Sequence, residues 1–160
     1  MFATKDWLKA SWYAGRDMLR PVTGGSSASD IHIHQQETPV MVPIRSLGPS
    51  YRERITQHLL QLEPADRYLR FGYAASDEQI RRYAEQLNFE RDEIFGIYNR
   101  RLELIAMAHL AFSDNPEHKP CAEFGVSVLK QARGRGFGAR LFERAVMHAR
   151  NEGVNMVFIH

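Results

Sequence analysis

Residues 121–160, CAEFGVSVLKQARGRGFGARLFERAVMHARNEGVNMVFIH, read as strand, loop, helix and strand in direct succession. The apolar run at 121–129 predicts a strand. It leads into a loop holding Arg133, Gly134, Arg135, Gly136 and Gly138. From Gly138 to Asn151, the residues Leu141, Phe142, Ala145, Val146 and Ala149 recur at helical spacing, and Gly153 stands where a helix stops. The closing VNMVFIH, 154–160, is nearly all apolar, the pattern of a strand buried on both faces. A strand–helix–strand crossover implies that its two strands pair in parallel through a right-handed connection. The fold class is therefore α/β, with mixed α+β character.

The upstream sequence adds antiparallel elements. PVMVPIR (39–45) predicts a first strand, with Pro43 marking it as an edge or as interrupted. Ile55, Leu59 and Leu62 place a helix within 48–62, begun by Pro49 and Ser50. EPADRYLRFGY then reads as a turn and a short helical piece. A second helix spans 76–87, capped by Ser76, with Ile80, Tyr83 and Leu87 on one face. Two strands joined near Asn99-Arg100-Arg101 form a hairpin, and NPEHKP (115–120) is a turn. The predicted order is β-α-α-β-β-β-α-β. Residues 1–38 stand apart, as a short helix at 2–19 and the Gly/Ser-rich linker 21–30; the domain proper is 39–160.

Composition narrows the function classes. A chain of 160 residues, 44% hydrophobic, suffices for one domain, and a net charge of +2 without a basic, aromatic-laced stripe argues against a nucleic-acid partner. No stretch has the roughly 18 apolar residues of a membrane span. The single cysteine, Cys121, excludes an internal disulfide and fits the reducing cytoplasm; it reads as a small buried residue rather than a nucleophile. His32 and His34 share one side of an extended segment but lack a third ligand, so no metal is expected.

The glycine-arginine loop carries the chemistry. Glycines bare the backbone N–H groups between a strand and a helix N-terminus, whose dipole supplies about half a positive charge, so a phosphate or pyrophosphate fits there. Arg133 and Arg135 add forked donors. An ATP-type P-loop is excluded, because no Lys-Ser or Lys-Thr follows. Gly134-Arg135-Gly136-Phe137-Gly138-Ala139 does satisfy the dinucleotide pattern G-x-G-x-x-A. Against a nicotinamide site stand the polar, basic residues between strand and first glycine, and the lack of an acid ending the next strand.

Counted from Arg133, the loop Arg133-x-x-Gly136-x-Gly138 resembles the acyl-CoA pyrophosphate loop Q/R-x-x-G-x-G/A of the GNAT superfamily of N-acetyltransferases. Residues 122–160 look like that family's central strand, loop, helix and next strand in order. ADRYLRFG (65–72) is similar to a segment of GNAT domains of the protein-lysine acetyltransferase type. The resemblance implies acetyl-CoA as co-substrate. Pantetheine would lie along Val126, Ser127 and Val128, on a strand that bulges and splays from its parallel neighbour. The pyrophosphate would be held by Arg133, Gly134, Arg135, Gly136, Phe137, Gly138 and Ala139. An amine, of a small molecule or a protein lysine, would attack the thioester directly. Glu123 stands where relatives carry a strand glutamate; it is either the general base or a strand-end partner of an arginine, and by alternation it shares a face with Gly125 and Ser127. Glu103 and His109 are fainter candidates for the base.

The sequence departs from the family after the fifth strand, where relatives continue with a helix, a strand pair and the tyrosine that serves as general acid. The expectation is a fragment of a longer polypeptide, or a short domain that pairs as a homodimer along its exposed last strand. Two other readings stay open: a non-catalytic acyl-CoA-binding module, and an NAD(P)-binding oxidoreductase.

Overall fold

The computed structural model describes residues 42–113, 121–154 and 156–159. The readings made for 1–38, including His32 and His34, and for the turn at 115–120 lie outside the described residues.

The elements follow in chain order as β1 (Arg45–Ser46), a 3-10 turn (Pro49–Tyr51), α1 (Arg52–Leu60), α2 (Pro64–Phe71) and α3 (Asp77–Glu85). Then come β2 (Glu93–Tyr98), β3 (Leu104–Phe112), β4 (Cys121–Val128), α4 (Phe137–Asn151) and β5 (Met156–Ile159). One sheet holds all five strands in sequence order. β1 to β4 pair antiparallel and β4 pairs with β5 in parallel, as the crossover requires.

Three boundaries differ from the sequence reading. The first strand is only Arg45–Ser46. Pro43 has no N–H to give a ladder, so pairing begins beyond it. Residues 64–71 form a full helix, with Pro64 in its first turn and Gly72, at φ 81°, closing it in the left-handed region. Proline is tolerated in that first turn because the missing N–H has no acceptor there, and only glycine takes the closing turn without strain. β5 is not buried on both faces: Met156 is 42% and Ile159 45% exposed. Its one neighbour among the described residues is β4.

Other expectations hold as local chemistry. The Ser76 hydroxyl accepts the Gln79 N–H at 3.2 Å while the Gln79 side chain accepts the Ser76 N–H at 2.9 Å, a reciprocal cap for α3. In the β2–β3 turn, Asn99 Oδ1 accepts the N–H groups of Arg101 and Glu103.

Alternation along β4 sorts the two layers. Phe124 faces α4, where its ring meets Phe142 edge-on at 5.3 Å, and Leu141, Ala145 and Ala149 are buried against the same side. Glu123, Gly125 and Ser127 face the other way, toward α1, α2 and α3, whose Ile55, Leu59 and Ile80 are fully buried. Burial of each such side chain contributes roughly 1.5–3 kcal/mol. This layer also receives the charged groups described next.

Candidate functional site

The loop after β4 is built by its glycines. Leu129 N–H still bonds to Ile105 O (2.9 Å), a 3-10 turn occupies Lys130–Ala132, and α4 begins at Phe137. Gly134 (φ 80°) and Gly136 (φ 75°) are left-handed, and no atom lies within 4 Å of the Cβ position of either. No side chain caps α4 and no acidic residue sits in its first turn. Arg140 is the first residue whose N–H closes back, onto Gly136 O at 3.1 Å. The result is an open run of backbone donors at the positive end of a 15-residue helix, a cradle for an anion.

The loop side chains divide the work differently from the sequence reading. Arg133 turns to α2: its Nη2 lies 2.7 Å from Asp66 Oδ2, and its Nε is 3.4 Å from Val128 O. Arg135 is exposed and lines an open groove of about 870 Å³ together with Arg45, Arg100 and Arg101, which makes the surroundings of the loop positive. Phe137 is buried and anchors the start of the helix. A Cβ on Gly138 would meet Val128 at an ordinary 4.0 Å, and Ala139 is exposed.

β4 itself runs straight. Its register against β3 passes from Ala122↔Phe112 to Val128↔Ala106 without a shift, so the bulge implied by the resemblance is absent on this edge. Alternation is therefore uninterrupted. On the other edge, β5 pairs with Cys121 to Phe124 only, and Gly125 to Val128 carry no strand there among the described residues. Val126 and Val128 send their side chains to the α4 face. The Ser127 hydroxyl is engaged elsewhere, 2.7 Å from His58 Nε2.

His58 Nδ1 lies 2.7 Å from Leu104 O, so Nδ1 must donate and Nε2 accepts the Ser127 O–H. Burial, aided by the Arg70 charge, lowers the His58 pKa from 6.5 to about 4. A depressed folded-state value means that the unfolded chain takes up the proton first. Unfolding free energy is thus expected to be level above about pH 6.5 and to fall by about 3 kcal/mol toward pH 4. Denaturant titrations across that range check it, and His58→Gln should remove this histidine's share of the slope, leaving that of His109, whose pKa burial also lowers.

Glu123 is 2% exposed and sits in the layer under the helices. His109 stands directly opposite Gly125 on β3, on the same face. Glu103 is not brought to this place: it lies in the β2–β3 turn, bonded to Asn99 at 3.3 Å, eight residues along β3 from the partner of Glu123, or roughly 26 Å.

A family model for the acetyltransferase (GNAT) family matches residues 56–160, more than half of the chain. The chain belongs to the GNAT family. A sequence search of curated proteins finds no match. Solved structures share the fold. The GNAT domain of S. lividans PAT superposes with a TM-score of 0.58 at 21% identity, over 72% of this chain and 69% of that one. A predicted acetyltransferase from Clostridium acetobutylicum, solved with acetyl-CoA, gives 0.56 at 16% identity, covering 75% and 80%. The aminoglycoside N-acetyltransferase AAC(6')-Iy, in complex with CoA, gives 0.54 at 17% identity, covering 75% and 76%.

In this GNAT domain the sequence reading missed a buried polar chain. The Arg70 guanidinium lies over the bare backbone of Gly125, where a Cβ would stand 2.4 Å from its Cζ. Arg70 Nη2 donates to Tyr83 Oη (2.8 Å), Tyr83 Oη lies 2.5 Å from His109 Nδ1, and His109 Nε2 lies 2.8 Å from Asp92 Oδ2. Asp92 Oδ1 also accepts Phe112 N–H (3.1 Å) and Arg91 Nε–H (2.8 Å). Burial alone would raise the Asp92 pKa, but the bonds from His109 and Arg91 hold it below the usual range. Burial keeps His109 neutral and pushes the Tyr83 hydroxyl up. The one available sequence signal was Gly125, a glycine inside a strand, which marks close approach by another group.

Burial pushes the Cys121 thiol up to about 11, which leaves it protonated at neutral pH. Among the described residues no cluster of three or more metal-ligating side chains occurs, and no helix is long and apolar enough to cross a membrane.

Proposed function

We propose that this domain transfers the acetyl group of acetyl-CoA to a primary amine, with the amine attacking directly while both substrates are bound. The observation that carries the reading is the cradle itself: two left-handed glycines with empty Cβ positions, opening an uncapped helix at the end of β4. Residues 134–139 bind the pyrophosphate through backbone N–H groups. The free edge of Val126, Ser127 and Val128 offers backbone bonds to pantetheine and a donor for the thioester oxygen. Acetyl-CoA supplies the activated acetyl group. As the new N–C bond forms and the C–S bond breaks, Glu123 takes the amine proton, directly or through a water, and the thiolate is released for reprotonation. Holding amine and thioester together does much of the remaining work.

The acceptor class is an amine of a small molecule or a protein lysine, and the exposed Met156 and Ile159 of β5 favour a homodimer along that strand. A lone, protonated thiol fits the cytoplasm. A thermal-shift panel of acetyl-CoA, CoA, NADPH and ATP, followed by CoA-release assays on an amine panel, tests the reading. Stabilisation by CoA species together with turnover supports it. Binding without turnover on any amine favours a non-catalytic acyl-CoA module, and a shift with NADPH alone overturns it.

A further inference from the structure

We propose that Ser127 is a nucleophile with His58 as its base: when no amine is bound, it takes the acetyl group from acetyl-CoA and passes it to water. The inference rests on the acetyl-transfer reading for its donor. Hydrolysis through an ester on Ser127 is a second activity of the same strand.

Hydrogen-bond direction carries the argument. The Leu104 carbonyl can only accept, so His58 bears its proton on Nδ1, 2.7 Å away. The lone pair is left at Nε2, and the Ser127 O–H donates to it at 2.7 Å. A hydroxyl bonded to a neutral imidazole, whose other nitrogen is held by an acceptor, is the pattern of a base-activated serine. Here a backbone carbonyl stands where a carboxylate orients the ring of a catalytic triad. The two bonds tie α1 to β3 and β4 at once, with His58 1% and Ser127 6% exposed, so the pair is fixed in place. Burial keeps the ring neutral, and Nε2 is ready to accept a proton at neutral pH.

The strand also places an oxyanion donor beside this serine. Leu129 N–H reaches Ile105 O, and Cys121 O accepts Ser113 N–H. With no register shift between them, the odd-numbered residues of β4 turn their N–H and C=O to β3. Val126 and Val128 therefore turn theirs to the opposite edge, which beyond Phe124 carries no strand among the described residues. The N–H of the residue after a nucleophilic serine is a position from which a developing oxyanion is stabilised, and Val128 occupies it. A thioester oxygen on that N–H brings its carbon to the residue next to the hydroxyl.

Both steps balance. Ser127 Oγ bonds to the carbonyl carbon, the C–S bond breaks, and the serine proton passes through His58 Nε2 to the CoA thiolate. Water then attacks the ester with Nε2 as base. The C–Oγ bond breaks, the proton returns to Oγ, and acetic acid leaves. With no carboxylate behind the ring, the imidazolium is weakly stabilised, so hydrolysis is slower than direct attack by an amine.

The test offers acetyl-CoA and, separately, p-nitrophenyl acetate, an activated ester that needs no pyrophosphate cradle, with no amine present. Acid-quenched protein is digested, acetylated peptides are mapped by mass spectrometry, and CoA or nitrophenol release is followed in parallel. The expected result is an ester on Ser127 that hydroxylamine removes. Ser127→Ala should lose the ester and release either leaving group at least about tenfold more slowly, and His58→Gln should slow ester formation by about 100-fold or more. Ser127→Cys, which keeps a nucleophile there, should carry the acetyl group as a thioester. No ester on Ser127 from acetyl-CoA that calorimetry shows to bind, or equal release by Ser127→Ala and wild type, overturns the proposal. An ester formed from p-nitrophenyl acetate in a protein that binds no acetyl-CoA keeps the nucleophile and defeats the acetyl-transfer reading instead.

Discussion

Glu123→Gln is expected to reduce kcat by about 100- to 1000-fold while leaving the dissociation constant for acetyl-CoA within twofold. The substitution keeps size and polarity but cannot take a proton. Glu123 points into the layer shared with Gly125 and Ser127, whereas the open edge of β4 and the glycine loop, where the cofactor would lie, are formed from backbone. Loss of the carboxylate therefore touches proton transfer rather than cofactor affinity. The carboxylate is also 2% exposed, so its replacement alters a buried polar layer and can change stability. Rates must accordingly be normalised to folded protein, measured by circular dichroism at the assay temperature. CoA release at saturating acetyl-CoA is the readout. A variant that keeps a fifth or more of wild-type kcat removes Glu123 from the role of base.

Gly136→Val is expected to weaken acetyl-CoA binding by more than about 100-fold, measured by isothermal titration calorimetry. Two effects combine. At φ 75° a side chain with a Cβ costs roughly 1–2 kcal/mol, and a β-branched one more, so the loop leaves its left-handed turn. Whatever turn it then adopts, two methyl groups stand where the structure has open space beside the helix N-terminus. Because each 1.4 kcal/mol is tenfold in affinity, loss of the turn together with two or three backbone bonds reaches the stated factor. Gly136→Ala should fall between wild type and valine. Gly48→Ala, at a position with open space and an ordinary φ, serves as the control and should bind normally. Equal affinity in Gly136→Val and wild type would place the pyrophosphate somewhere other than this loop.

How much of this was legible in the sequence depended on whether the signal was local. The crossover at 121–160 could be read because period, glycines and element order all lie within one stretch, and α4 follows its pattern almost residue for residue. Ser76 announced its helix for the same reason: a cap is decided within four residues. α2 was underread because Pro64 and Gly72 bracket a segment whose helical face includes Arg70, a charge on what becomes a buried side. The polar chain from Arg70 to Asp92 draws on α2, α3, β3 and the start of β2. Its members are adjacent only after the sheet has formed, and no spacing rule joins positions 70, 83, 92 and 109. Tyr83 read correctly as part of an inward helix face, yet while its ring packs, its hydroxyl joins Arg70 and His109. The conspicuous arginine of the loop has a partner that no local spacing announces. Arg133 appears in the motif as a natural phosphate ligand, and a neighbour 67 positions earlier has its guanidinium.

That pairing of Arg133 with Asp66 bears on how the domain responds to salt. Five loop and groove arginines counted as mobile cations would make anion capture fall steeply as ionic strength rises, since screening acts most strongly on exposed charges. With one guanidinium already neutralised by α2, the oriented amides of 134–139 carry a larger share of the attraction, and fixed dipoles at contact distance are screened much less than charges at the rim. Added salt should then slow the arrival of an anionic ligand more than it hastens its departure.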